Sequence, residues 1–327
     1  MTIQTDKSVY INSIPLRLPD SNKGTYGKVL ILAGCKGMSG AAYLSALSAY
    51  RTGAGLVKFL THEDNRTILQ TLLPEAVYEG YDEKASIKEL TERNVFWADV
   101  IAAGPGLGTS ELSKKVLEGT LKSLKTYSKD AELVRKKQPL LILDADGLNI
   151  LSESPLLQEE LSDISERIPV IVTPHPMEMS RLSGKKLQEI LRNPDITASE
   201  YSKKHKLITI MKGSETIISD RTGEKLFKNM SKSPALSKGG SGDVLSGAIA
   251  GIYTLLRAES ENQNSRKGLE TVDFDLINDT AHAAAVIAVI VHSEAGRLAS
   301  KRYGINGVLA RDTANSLGYI IDSMTEA

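Results

Sequence analysis

The stretch of the sequence best suited to chemistry is a glycine-rich loop that leads directly into a helix, residues 238–247. Three glycines within four residues, Gly239, Gly240 and Gly242, allow backbone conformations that a β-carbon forbids. The loop is followed by apolar residues at helical spacing, Val244, Leu245, Ala248, Ile249 and Ile252, which predict a helix with one buried face. Such a junction directs free backbone N–H groups and the positive end of a helix dipole at one point, which favours an anion, above all phosphate.

Asp243 needs a separate explanation, because a phosphate repels a neighbouring carboxylate. One interpretation is structural: an acidic residue in the first turn stabilises a helix, with Ser241 as its cap. The other is chemical: Asp243 is a general base that faces an acceptor hydroxyl beside the phosphate. The loop alone leaves both interpretations open.

The composition is that of an ordinary soluble globular protein of 327 residues, 41% hydrophobic and 24% charged. Lysine plus arginine equals aspartate plus glutamate, 40 each, so electrostatics give no reason to expect nucleic acid or an anionic membrane as a partner. The single cysteine, Cys35, excludes an intramolecular disulfide and a multi-cysteine zinc site. The N-terminus lacks a signal-peptide pattern and the longest apolar run, Ala283–Val291, is too short to span a bilayer, so we expect a cytoplasmic protein.

Apolar runs of strand length recur along the chain, each followed by glycine or polar residues and then a helical stretch. They cover residues 29–33, 56–60, 99–103, 139–143, 169–173 and 207–211. Continuous apolar strands that alternate with helices predict an α/β protein with a central, mostly parallel sheet and helices on both faces. We expect one domain over residues 1–327, a hairpin at 216–227, and a polar loop or insert at about 257–271.

The residues that could do chemistry follow the ends of these strands: the loop Gly104–Gly108, then Asp144 and Asp146, then His175 and Glu178, and Lys212. Each has an ordinary structural explanation alone, such as a turn, a helix cap or a surface charge. Open parallel sheets bind ligands at the carboxyl ends of their strands, where these residues would meet. A glycine cradle, a cation, a histidine and several carboxylates are the groups that phosphoryl transfer needs. The Walker-type phosphate motif is missing, which excludes a Walker-type nucleotide-binding protein. A clean dinucleotide fingerprint is also missing, which disfavours a nicotinamide oxidoreductase.

Taken together, these motifs resemble the ribokinase-like superfamily and, more narrowly, the nucleotide-dependent NAD(P)H-hydrate dehydratases, in the form of a stand-alone dehydratase domain. The similar segments are residues 23–28, 38–42, 51–56, 104–108, 143–146, 173–176, 212–213 and 239–243, in that order along the chain. Asn22, Gly147, Met177 and the segment 229–233 depart from the usual family pattern. The last departure lies just before the glycine loop and puts local nucleotide contacts in question more than the reaction.

The resemblance implies repair of hydrated nicotinamide cofactors, the dehydration of (6S)-NADHX and NADPHX to NADH and NADPH, with ADP favoured over ATP and AMP and phosphate as products. Asp243 would be the catalytic base, Mg²⁺ would be organised indirectly through Glu178 and Asp144, and the protein would be a homo-oligomer, up to a tetramer. The implied hydrate site comprises Ala41, Gly104, Gly106, Gly108, His175 and Asp243. The implied nucleotide site comprises Lys212, Gly213, Ser214, Glu215, Thr216, Gly240, Ser241 and Gly242.

Two other functions remain open at this point. A ribokinase-like kinase of a small hydroxylated metabolite would use the same Asp243 and leave a stable phosphoester. A nonenzymatic nucleotide sensor would bind nucleotide without turnover that depends on Asp243. The His175 loop and the Gly104–Gly108 loop, present together, favour the dehydratase over the kinase.

Overall fold

The computed structural model describes residues 1–266 and 274–325, which form one ten-stranded sheet with helices on both faces. The strands are β1 (Thr2–Gln4), β2 (Lys28–Leu32), β3 (Leu56–His62), β4 (Val77–Tyr81), β5 (Val100–Ala103), β6 (Leu140–Leu143), β7 (Val170–Val172), β8 (Ile208–Met211), β9 (Thr216–Ser219) and β10 (Lys225–Asn229). Their order across the sheet is β1-β10-β9-β8-β7-β6-β5-β2-β3-β4. In this order across the sheet, all neighbouring strands between β8 and β4 pair in parallel, including β2 and β3. Strand β9 is antiparallel to both of its neighbours, β8 and β10. The predicted mostly parallel sheet and the hairpin are therefore confirmed.

The helices are α1 (Ser8–Ile11), α2 (Ser39–Arg51), α3 (Arg66–Leu72), α4 (Ile87–Trp97), α5 (Glu111–Lys129), α6 (Ala131–Lys136), α7 (Asp146–Ser152), α8 (Pro155–Ser165), α9 (Pro176–Ser183), α10 (Leu187–Arg192), α11 (Pro194–His205), α12 (Ser241–Arg266), α13 (Phe274–Tyr303) and α14 (Ala310–Thr325).

Each central strand is buried on both sides, which explains its continuous apolar sequence. Alternate residues of one strand enter different cores: Val29 and Ile31 pack on the side of α2, α12, α13 and α14, whereas Leu30 and Leu32 pack on the side of α5 and α8. The same alternation occurs in β5 and β6. Side chains of successive strand residues point to opposite faces, so both helical layers are needed to cover the sheet.

The prediction of a polar loop at about 257–271 is wrong for the first part of this segment, because α12 continues to Arg266. Arg257 holds this part of the helix by pairing with Glu261 one turn on, at 2.7 Å, and by approaching Asp99 at 3.7 Å. A helix can carry a polar surface without a regular apolar stripe when such pairs support it. Residues 267–271 of the predicted insert lie outside the described residues.

Helix α13 is long and apolar enough, over Asn278–Tyr303, to cross a membrane by length and composition alone. In the fold, 72% of its most apolar window is buried, where it packs against α12 and α14. A core helix of an α/β protein has the same composition as a membrane span. Burial accounts for the apolar sequence of α13 without a membrane.

Candidate active site

The loops predicted to carry chemistry lie along one edge of the sheet, because β5 to β8 are parallel neighbours that end there. The loop Gly104–Gly108 follows β5, Asp144 follows β6, His175 and Glu178 follow β7, and Lys212 follows β8. Helix α12 begins at the same edge, since its second residue, Gly242, faces Asp144 and Lys212. The parallel topology thus brings together residues that are far apart in the sequence.

Close packing at this edge explains why glycine is required at positions 104 and 106. Gly104 has φ +120°, and a β-carbon there would collide with the carbonyl oxygen of Asp144. Two residues on, a β-carbon at Gly106 would lie 2.7 Å from the β-carbon of Ala41 at the start of α2. The small size of Gly104 and Gly106 therefore lets the loop after β5 approach the turn after β6 and the start of α2. The binding of the hydrate by these residues stays a prediction.

The turn after β6 sends two carboxylates in different directions. Ala145 separates Asp144 from Asp146 and has φ +48°, a conformation that costs free energy for a residue with a β-carbon. The Asp146 carboxylate accepts a hydrogen bond from the Gly108 backbone N–H at 2.8 Å. The strained turn thus connects the ends of β5 and β6 through Asp146 and leaves Asp144 facing the sheet edge.

Asp144 and Lys212 form a buried ion pair at the centre of the site. Lys212 Nζ lies 2.6 Å from Asp144 Oδ1, and the Ser246 hydroxyl donates to Asp144 Oδ2 at 2.7 Å. Burial opposes ionisation of Asp144, but the Lys212 ammonium and the hydroxyl donors outweigh it and hold the carboxyl pKa below its usual value. The Lys212 side chain is 21% exposed, so the pair is not fully enclosed by the protein.

His175 and Glu178 form a capping box at the start of α9. His175 Nδ1 accepts the backbone N–H groups of Met177 and Glu178, while Glu178 Oε2 accepts the His175 backbone N–H at 2.8 Å. Burial raises the pKa of the Glu178 carboxyl to about 6, although Lys212, 3.8 Å away, opposes the shift. Burial and the Lys212 charge lower the pKa of His175. Since Nδ1 is an acceptor, the neutral His175 ring carries its proton on Nε2.

Asp243 lies in the first turn of α12 with its carboxylate unpaired. Its side chain receives no hydrogen bond from any residue that the structure describes. Burial raises the pKa of Asp243 to about 6, and the charges of Asp144 and Asp146 add to this effect while Lys212 opposes it. A carboxyl with this pKa is mostly ionised at neutral pH yet accepts a proton readily, as a general base must. The geometry thus favours the chemical interpretation over helix stabilisation.

The start of α12 carries free backbone amides. The Ser241 N–H donates to Lys238 O at 3.2 Å, whereas the N–H groups of Gly242 and Asp243 have no acceptor among the described residues. The hydroxyl of Ser241 does not cap the helix, because α12 begins at Ser241 itself and Ser241 Oγ contacts His292 Nε2. An anion here would be met by the amides of Gly242 and Asp243 and by the helix dipole.

A cavity of about 780 Å³ opens beside this helix start. Among the residues predicted to bind nucleotide, it is lined by Lys212, Gly213, Ser214, Thr216, Ser241 and Gly242. Glu215 does not line it, since its carboxylate pairs with Lys228 and Lys232. Gly240 does not line it either: it has φ +89° and packs against Leu44 of α2. The positive φ turns the loop, and nucleotide binding by Gly240 and Glu215 stays a prediction.

Several cavity residues were not among those predicted. Ser231, Lys232 and Ser233 form one wall, inside the segment where the sequence departs from the family pattern, and Lys238 and His292 also line the cavity. His292 lies in α13, far along the chain from the glycine loop. A histidine within an Ala- and Val-rich helix has the pattern of a core residue, so no local pattern selects His292 as a site residue.

The described residues do not form a preformed metal site: no cluster of three or more His, Cys, Asp or Glu side chains could hold an ion. Both oxygens of Asp144 accept hydrogen bonds from Lys212 and Ser246, and Glu178 is bonded to the His175 backbone. Mg²⁺ usually keeps several waters and binds through phosphates with one or two carboxylates. Asp144 and Glu178 therefore have the chemistry for indirect contact with an ion that arrives with a nucleotide, and this metal role stays a prediction.

The sheet order, the glycine cradle and the buried Asp–Lys pair define an α/β protein of the ribokinase-like class. A ribokinase-like superfamily protein from Enterococcus faecalis has a similar structure, with a TM-score of 0.75, 26% identity, and coverage of 99% of this chain and 97% of that one. The sequence model of NAD(P)H-hydrate dehydratase matches residues 29–318. The chain therefore belongs to the NAD(P)H-hydrate dehydratase family.

Individual relatives agree with this assignment. The ADP-dependent (S)-NAD(P)H-hydrate dehydratase of Lactococcus lactis is 30% identical over 259 residues, 79% of this chain and 84% of that protein. The Bacillus subtilis ADP/ATP-dependent NAD(P)H-hydrate dehydratase, co-crystallised with ATP/Mg²⁺, has a TM-score of 0.72 at 26% identity and 97% coverage of both chains. The chain spans about half the length of the first curated relatives it matches: 53% of the bifunctional NAD(P)H-hydrate repair enzyme Nnr of Thermofilum pendens, with 31% identity over 323 residues, 96% of this chain.

Proposed function

We propose that this protein dehydrates (6S)-NADHX and NADPHX to NADH and NADPH and consumes a nucleoside phosphate in each turnover, with ADP favoured. The observation that carries the proposal is the position of Asp243. Its unpaired carboxylate, with a pKa raised to about 6, lies beside the free amides of the helix start and near the Asp144–Lys212 pair. Membership of the dehydratase family and the ADP-dependent relative support this activity over a kinase that leaves a stable product.

In the first step the C6 hydroxyl of the hydrate attacks the terminal phosphorus of ADP. Asp243 takes the hydroxyl proton as the new O–P bond forms, and the bond to the bridging oxygen breaks to release AMP. The N–H groups of Gly242 and Asp243 and the Lys212 ammonium stabilise the negative charge on the transferring phosphoryl group. Ser241 contributes its hydroxyl, since it lines the cavity next to Gly242.

In the second step the phosphorylated intermediate loses phosphate. The lone pair of the ring nitrogen forms a double bond to C6 as the C6–O bond breaks, so phosphate leaves with the bonding electrons. Loss of a proton from C5 then restores the C5–C6 double bond and the reduced ring. Phosphorylation is useful here because phosphate is a far better leaving group than hydroxide.

Two binding regions follow from this chemistry. The cavity lined by Lys212–Ser214, Thr216 and Ser241–Gly242 would hold the nucleotide, and the edge formed by Ala41, the Gly104–Gly108 loop and His175 would hold the hydrate. Asp144 and Glu178 would hold Mg²⁺ indirectly, through its waters, and the ion would neutralise phosphate charge. The homo-oligomer, up to a tetramer, and the cytoplasmic location remain predictions from the sequence.

Substitution of Gly242 by Val is expected to weaken ADP and ATP binding while the protein stays folded. A β-carbon at Gly242 lies 3.5 Å from Asp144 Oδ2 and 3.6 Å from Lys212 Nζ, so further methyl groups would enter the phosphate space. Overpacking of this kind costs about 1–3 kcal/mol, or roughly ten- to hundredfold in affinity. Gly239→Ala is the matched control, because a β-carbon there meets no atom within 4 Å. Equal losses of affinity and melting temperature in Gly242→Val would instead make this glycine structural.

Substitution of His175 by Asn is expected to raise the KM for the hydrate about tenfold, the cost of one lost hydrogen bond, with little change in ADP affinity. Asn can still cap α9 in place of His175, so helix stability is retained while the imidazole is lost. His175→Ala removes the cap as well and should lower the melting temperature in addition. An unchanged KM in His175→Asn would remove His175 from the hydrate site.

The direct test of the proposed activity is incubation of the purified protein with hydrated NADH and either ADP or ATP. We expect the absorbance of the reduced ring to return only when nucleotide and Mg²⁺ are both present, and faster with ADP than with ATP. Omission of each component in turn is the control. No recovery of absorbance with either nucleotide would contradict the proposed function.

A further inference from the structure

The nucleotide cavity contains a buried histidine to which the proposed mechanism gives no role. His292 lies on α13, is 6% exposed and lines the cavity together with Lys212 and Gly213, which follow β8. Its Nε2 lies 3.3 Å from the Ser241 hydroxyl oxygen, and Ser241 is the first residue of α12. The His292 side chain therefore contacts the start of α12, where the proposed mechanism places the phosphates of the nucleotide.

We propose that His292 is a positioning residue of the nucleotide site, whose Nε2–H donates to Ser241 Oγ and thereby directs the Ser241 hydroxyl hydrogen at a phosphate of the nucleotide. This inference rests on the proposed binding of ADP or ATP in the cavity. It adds a residue from α13 to a site otherwise built from the loops at the sheet edge.

The direction of the hydrogen bond follows from the chemistry of the ligand. An ionised phosphate only accepts hydrogen bonds, so Ser241 must present its hydroxyl hydrogen to it, not its lone pairs. The lone pairs of Ser241 Oγ are then free to accept a hydrogen bond, and His292 Nε2 is the side-chain atom in contact with them. With the opposite direction, Ser241 would donate to His292 and direct only lone pairs at the phosphate, which would repel it.

The surroundings of His292 keep the ring neutral. Burial lowers the pKa of His292 to about 4, and the positive charge of Lys212 adds to this shift while the nearby Ser241 backbone opposes it. A neutral ring carries a single N–H, so the choice of nitrogen matters, and a ring proton on Nε2 is the one that can reach Ser241. His292 thus acts through hydrogen bonding and adds no charge to the site.

The test compares the affinities of ADP and adenosine, because adenosine lacks the phosphates that the Ser241 hydroxyl would contact. His292→Leu removes the donor and is expected to weaken ADP about tenfold, the effect of about 1.4 kcal/mol, with adenosine unchanged. His292→Gln, which carries an amide N–H, is expected to retain most of the ADP affinity. His282→Gln is the matched control: His282 is another buried histidine of α13, packed against Tyr10 and outside the cavity lining.

Ser241→Ala keeps the test decisive if His292→Leu fails to fold. It is expected to weaken ADP as much as His292→Leu does, and the double variant should lose no more than either single variant, because both remove the same hydrogen-bonded chain. The inference would be overturned if Ser241→Ala bound ADP as tightly as the wild type. It would also be overturned if the two fold-losses of ADP affinity multiplied in the double variant, or if adenosine lost as much affinity as ADP. A wild-type protein that binds neither ADP nor ATP would overturn the proposed nucleotide site itself, which separates the two failures.

Discussion

Substitution of Asp243 by Asn is expected to lower turnover about a hundredfold or more while ADP binding stays close to that of the wild type. The change preserves side-chain size and removes only the base, because the backbone N–H groups of residues 242 and 243 remain in place at the start of α12. The wild-type rate should rise with pH through about 6, as the Asp243 carboxyl loses its proton, and then level off. The variant should lack this rise. Single-turnover rates and ADP titrations over a pH series measure both effects.

Glu261→Gln is the matched control for this change, since it neutralises another carboxylate of α12 in an exposed ion pair with Arg257. Its turnover and pH profile should equal those of the wild type. If Asp243→Asn retained near-wild-type turnover, Asp243 would be a helix-stabilising residue and the proposed mechanism would be wrong.

The second large effect is expected for Lys212→Met, which should lose both stability and activity. Asp144, 1% exposed, would be left as a buried carboxylate without its cation, and breaking a buried pair in this way costs about 3–5 kcal/mol. Nucleotide use should fall because the cavity loses a cation from its lining, which in the proposed mechanism stabilises the transferring phosphoryl group.

The double variant Asp144→Asn, Lys212→Met separates these two effects. It should recover much of the melting temperature, because no buried charge is left unpaired, yet remain poor in nucleotide use. Lys228→Met serves as the control, because Lys228 pairs with Glu215 outside the cavity lining. A Lys212→Met protein with wild-type stability and kinetics would show that the pair has no part in the site.

The sequence predicted the central sheet well because its strands are buried on both faces and therefore consist of continuous apolar runs. Two edge strands had no such pattern: β4 (Val77–Tyr81) is partly exposed, and β1 (Thr2–Gln4) is short and pairs only with β10. The polar end of α12 was predicted as a loop because it lacks an apolar stripe. In each case tertiary contacts, which local patterns do not contain, decide the structure.

Part of the site could be predicted for a similar reason. Residues directly after buried parallel strands must gather at one edge, so Asp144, His175 and Lys212 could be grouped from the sequence alone. The contact between His292 and Ser241 joins residues from two helices whose relative position depends on packing, and local spacing carries no record of it. The capping role of His175 was likewise hidden, because histidine is not a usual capping residue.

In the proposed mechanism, phosphorylation of the C6 hydroxyl leads to its elimination. The most direct measurement is the stoichiometry of one reaction of hydrated NADH with ADP, in which NADH, AMP and inorganic phosphate are quantified together. Equal amounts of the three products are expected, with phosphate release lost in Asp243→Asn. Accumulation of a stable phosphorylated hydrate, without free phosphate or recovery of NADH, would contradict the dehydratase and favour a ribokinase-like kinase.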